Sequence, residues 1–73
     1  MTDLTIGDYL TGIQETREAI KRADNLLARA SELAIAKPST ASVALADSAS
    51  KMKALLESEL EELEWRLTEA EKK

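Results

Sequence analysis

The chain has 73 residues, 33% of them charged, with 14 acidic against 10 basic side chains and a net charge of −4. That length holds one small domain at most, and no apolar run approaches the ~20 residues of a membrane span. Having no Cys excludes disulfides and thiolate metal sites, and having no His removes the commonest general base and transition-metal ligand together.

The missing His also closes the ferritin-like use of a helical bundle, whose di-iron site needs Glu-x-x-His pairs. Tyr9 and Trp65 are the only aromatics, so stacking platforms for nucleic acid are scarce as well. The first residues, Met1-Thr2-Asp3-Leu4, lack the basic region and apolar core of a secretory signal, and a cytoplasmic location is expected.

In chain order, the first element read from the pattern is a helix over about 6–36. Ile6, Ile13, Ile20 and Leu27 fall seven apart, with Tyr9 or Leu10 and Ala34 at three-and-four spacing and small Thr16, Ala23 and Ala30 between them. Leu26 and Leu33 widen the stripe on one side. Thr5 is the expected N-cap, with Asp8 three residues on in a pattern close to a capping box and favourable to the helix dipole.

Pro38 then breaks the chain over 37–40. The residue before a proline is pushed out of the α region, and proline itself donates no backbone hydrogen bond. Ser39 or Thr40 is a plausible N-cap for a second helix over about 40–71. Its apolar stripe reads as Leu45, Ala49, Met52, Leu56, Leu60, Leu63, Leu67 and Ala70, with two consecutive steps of four that break a strict heptad. Residues 39–50, STASVALADSAS, carry only Val43 and Leu45 as anchors. They read as a frayed start or a segment that orders on binding.

So short a break predicts antiparallel neighbours. The fold expected is all-α, with residues 1–73 forming a single antiparallel two-helix hairpin that assembles into a four-helix bundle by dimerisation or with a partner protein. Folding near 38–39 makes facing residue numbers add to about 77. That register sets Trp65 level with Gly12, and Arg17, Lys21 and Arg22 opposite the Glu57–Glu62 segment.

Candidate sites are few. The stretch from Glu57 to Glu64 reads first as a solvated acidic surface paired in part with Arg66 and the basic residues of the first helix. It reads second as an electrostatic docking face for a basic partner. Arg17, Lys21, Arg22 and Arg29 are interleaved with Glu15, Glu18 and Asp24, so ion pairing explains them better than DNA or RNA contact. Ser48, Ser50 and Ser58 have no base near them. Trp65 either packs over Gly12 or caps the bundle end, or else anchors a protein interface.

Glu15-x-x-Glu18 and Glu61-x-x-Glu64 place two pairs of carboxylates one helical turn apart. The two pairs resemble the acidic motifs of all-α nucleotide pyrophosphohydrolases of the MazG type. The resemblance implies a Mg²⁺-dependent phosphohydrolase with these four glutamates as ligands. A second alternative is an acidic inhibitor that mimics nucleic acid.

The reading favoured by the residues themselves is a non-enzymatic helical interaction protein needing no cofactor or metal. An assembly adaptor, a small chaperone or a regulatory inhibitor, such as a phage or mobile-element accessory protein, would all fit. The expected interface residues are Ile6, Ile13, Ile20, Leu27, Leu56, Leu60, Leu63, Trp65 and Leu67. A second copy or another protein is the expected partner, with neither nucleic acid nor membrane involved. A lone hairpin leaves part of each apolar stripe uncovered.

Overall fold

The computed structural model describes residues 4–72 and holds two helices, α1 (Ile6–Ala36) and α2 (Thr40–Glu71). Met1 to Asp3, most of the stretch read above for a leader, lie outside the described residues. Helix α1 begins where Thr5, extended at φ −83° and ψ 166°, caps it. The Asp8 N–H donates to the Thr5 hydroxyl at 3.1 Å, and the Thr5 N–H donates to the Asp8 carboxylate at 2.9 Å. Two of the backbone donors orphaned at a helix start are thereby satisfied. The helix ends at Lys37, whose φ of −134° and ψ of 73° lie outside the α region, as its place before Pro38 demands.

The start of α2 is more firmly built than its composition indicates. Ser39 is the N-cap, and Ser42 at the third helical position closes a second capping box. The Ser42 N–H donates to the Ser39 hydroxyl at 3.0 Å, and the Ser39 N–H donates back to the Ser42 hydroxyl at 2.9 Å. Ser42 also reaches the Lys37 carbonyl at 3.0 Å, tying the end of α1 to the start of α2, and it is buried at 5% exposure. The expectation of a frayed start over 39–50 is therefore corrected. Ser and Ala, weak anchors by hydrophobicity, supply the cap and the small seam residues that this end requires.

The two helices lie side by side in a rod of 53 × 19 × 16 Å. A helix of 32 residues is about 48 Å long at 1.5 Å per residue, so each runs nearly the full length. Asp24 meets Lys53, Gly12 meets Leu63 and Arg17 meets Glu64 across the hairpin. Facing numbers thus add to about 77, with a scatter of about four.

The core is narrow and lined with small residues. Ile13, Ala23, Ala30 and Ala49 are buried at 1–5% exposure. Along α1 the seam runs through Tyr9, Thr16, Ala23 and Ala30 on one row and Ile13, Ile20, Leu27 and Ala34 on the other, all buried or half-buried. The Thr16 hydroxyl donates to the Gly12 carbonyl at 2.7 Å, so this polar seam residue is satisfied within its own helix.

Along α2 the seam differs from the stripe read in the sequence. Ser42, Ala49, Leu56, Leu63 and Ala70 form one row and Ala46, Lys53, Leu60 and Leu67 the other, again all buried or half-buried. Leu45 and Met52 sit on the flank, 43% and 49% exposed. The steps alternate four and three without interruption. The apparent break in the heptad came from taking the larger apolar side chain at each turn, whereas burial selects the smaller Ala46 and the ion-paired Lys53 one residue further on.

Candidate interaction surface

Each helix has two flanks beside the seam, and they differ sharply. One flank of α1 carries Gly12, Ala19, Leu26 and Leu33 at seven-residue spacing; the matching flank of α2 carries Leu45, Met52, Glu59 and Arg66. Between them lies a groove lined by Ala19, Arg22, Leu26, Met52 and Leu56, continued towards the turn by Leu33 and Leu45. Leu26, Leu33, Leu45 and Met52 are each 40–49% exposed there. Four large apolar side chains on one side of the turn-proximal half form a continuous strip.

The opposite side is charged. Arg17, Lys21, Glu57, Glu61 and Glu64 border it, with Ile20 and Leu60 at its floor. Arg17 approaches Glu64 to 3.6 Å across the hairpin. Asp24 accepts a 2.8 Å hydrogen bond from the Lys53 ammonium. That bond, and the carboxylate charge behind it, raise the Lys53 pKa above its ordinary value. At the far end, Glu62 accepts from the Arg66 guanidinium at 2.8 Å and raises that pKa in the same way. The expected pairing of the basic strip with Glu57–Glu62 is only partly what is found. Arg17 reaches past that segment to Glu64, Lys21 borders Glu57 and Glu61, and Arg22 lies 3.9 Å from Glu18 on its own helix.

Of the residues expected to form an interface, Ile13 is buried and Ile20, Leu27, Leu56, Leu60, Leu63 and Leu67 are half-buried, all within the hairpin seam. Ile6 is 44% exposed, because α2 ends at Glu71, opposite it. Trp65 is 61% exposed on the back of α2, and Leu63, not Trp65, lies over Gly12. A step of two residues turns a helical side chain by about 200°, so Trp65 cannot share the seam with Leu63. A Cβ built on Gly12 would meet the Leu63 methyl at 3.7 Å, an ordinary contact, so no indole is needed to fill that space.

The four glutamates of the two ExxE pairs do not form one site. Glu64 is held by Arg17 and Glu18 lies beside Arg22, on different faces of the rod. Among the described residues, no group of three or more acidic side chains is close enough to hold a metal ion. Among them, too, no helix is long and apolar enough to cross a membrane.

Two features escaped the sequence reading. Lys53 as a seam residue, and Leu45 and Met52 as flank residues, were legible in the row Ser42, Ala49, Leu56, Leu63 and Ala70, five residues at strict seven-residue spacing. That row outweighs the individual hydrophobicity of Leu45 and Met52. Compared with known proteins, the chain matches no family model, and no curated protein or solved structure is significantly similar to it.

Proposed function

We propose that this chain is a non-enzymatic helical interaction module whose apolar groove is covered by helices of another chain, completing a four-helix bundle. The observation that carries this reading is the strip of Leu26, Leu33, Leu45 and Met52, left 40–49% exposed beside a seam whose largest buried side chain is Ile13. Burial of apolar surface is worth about 25 cal/mol per Å². A seam whose fully buried apolar residues are Ile13 and three alanines leaves apolar surface to be covered outside the hairpin.

The charged side of the rod then governs orientation and choice of partner rather than adhesion, since exposed charges change encounter rates and specificity more than affinity. Adaptor, small chaperone and regulatory inhibitor all use such a surface, and each would work by masking or bridging a partner's helix.

The test is a groove variant, Leu26→Asp with Met52→Asp, compared with wild type by circular dichroism and by association. Both substitutions fall on the flank, so helicity should persist while binding to the partner, of whatever identity, is lost. Unchanged association in a variant that remains helical would remove the groove from the account.

A further inference from the structure

We infer that the occupant of the apolar groove is a second copy of this chain, docked face to face and in the same direction, so that both turns lie at one end of a four-helix bundle. This rests on the interaction reading above and names its partner.

The chain exposes 5719 Å², whereas a compact monomer of 8.0 kDa exposes about 4,500 Å². The excess of about 1,200 Å², spread over the sides of a 53 × 19 × 16 Å rod, leaves room for the roughly 800 Å² that each partner buries in a standard interface.

The groove is also complementary to itself. A two-fold axis along the rod brings α1 of one copy against α2 of the other at the same register that operates within the hairpin. Leu33 then faces Leu45 of the second copy, and Leu26 faces its Met52. Further from the turn, Ala19 faces Glu59 and Gly12 faces Arg66, so each long charged stem lies over a residue with little or no side chain. Large meets large where both are apolar, and small meets long where one is charged.

The reverse orientation fits worse. Turning one copy end over end makes facing numbers on α1 add to about 42 and those on α2 to about 111. Met52 would then lie against Glu59 and Leu45 against Arg66. The apolar strips, confined to the turn half of each copy, would be separated.

The absence of natural cysteine makes the test clean. The full chain carrying Lys37→Cys is spin-labelled at the turn, and the distance between labels is measured by pulsed electron resonance beside sedimentation equilibrium. The expected result is twice the 8.0 kDa chain mass with labels about 30 Å apart or less, as bundled helices spaced 8–10 Å require. A dimer with labels about 50 Å or more apart would overturn the shared direction, that being the separation set by 1.5 Å per residue in the reverse arrangement. A milder groove variant, Leu26→Ser with Met52→Gln, should remain helical and weaken the dimer by on the order of a hundredfold; a dimer that survives it would overturn the assigned face. A mass of 8.0 kDa at every concentration would also overturn the proposal. In that case the interaction reading is decided separately, by whether the groove variant loses binding to a different protein.

Discussion

Lys53 reaches across the hairpin from a seam position of α2 to Asp24 of α1, its ammonium 2.8 Å from the carboxylate. A lysine in an otherwise apolar heptad row sacrifices burial for register, because only one alignment of the helices gives it a partner. Lys53→Leu should raise the denaturation midpoint by adding apolar surface to the seam, while relaxing the alignment. Amide spectra of the variant should show more than one set of resonances where wild type shows one.

The same pair sets a pH dependence. Asp24 holds the Lys53 ammonium protonated above the ordinary lysine value of 10.5. A raised pKa in the folded state contributes stability fully below the unfolded value and loses it as pH rises through the folded one. Wild type should therefore lose thermal stability relative to Lys53→Met as the pH climbs past about 10.5, and hold a constant difference between pH 6 and 9. A difference that stays flat to pH 12 would remove the ion pair from the account.

Much of this architecture could be read directly from the residues. The Thr5–Asp8 capping box and the Lys37-Pro38 stop each follow from local chemistry, and α1 begins and ends where those signals fall. The seam of α2 was harder to read, because hydrophobicity ranks Leu45 above Ala46 and Met52 above Lys53, whereas packing two helices closely ranks size and pairing first. Trp65 was misplaced for a related reason. A facing register fixes height along the rod and says nothing of rotation about the helix axis, and two residues from Leu63 is the wrong rotation.

Ser42 holds the turn together. Ser42→Ala removes the acceptor for the Ser39 N–H and the donor to the Lys37 carbonyl at once, at a buried site. Losing a cap costs about 0.5–2 kcal/mol, and an unpaired buried group adds about 1–3 kcal/mol. Urea denaturation should show a loss of about 2 kcal/mol for Ser42→Ala and about 1 kcal/mol for Ser39→Ala.

Gly7 lies in the first turn of α1, where a Cβ would meet only the Thr5 hydroxyl at 3.6 Å. Gly7→Ala should stabilise the hairpin by about 0.5–1 kcal/mol through reduced freedom of the unfolded chain. For a domain of this size that corresponds to roughly 2–8 °C in the thermal midpoint.

Trp65, 61% exposed on the back of α2, should emit at long wavelength and be quenched freely by acrylamide. Trp65→Ala should change stability by about 0.5 kcal/mol or less, as is usual for exposed positions away from caps and core. A blue-shifted, protected emission would mean that this back face, and not the apolar groove, meets a partner.

The most direct test of the groove as an interface between two copies of the chain is solution mass across concentration, by light scattering, for wild type beside Leu26→Asp with Met52→Asp. The account predicts that wild type exceeds 8.0 kDa at micromolar concentration and above, and that the helical variant stays at 8.0 kDa with a lower, broader thermal transition. A wild type that remains a well-folded 8.0 kDa monomer throughout, with a sharp transition that the groove substitutions leave unmoved, would contradict it.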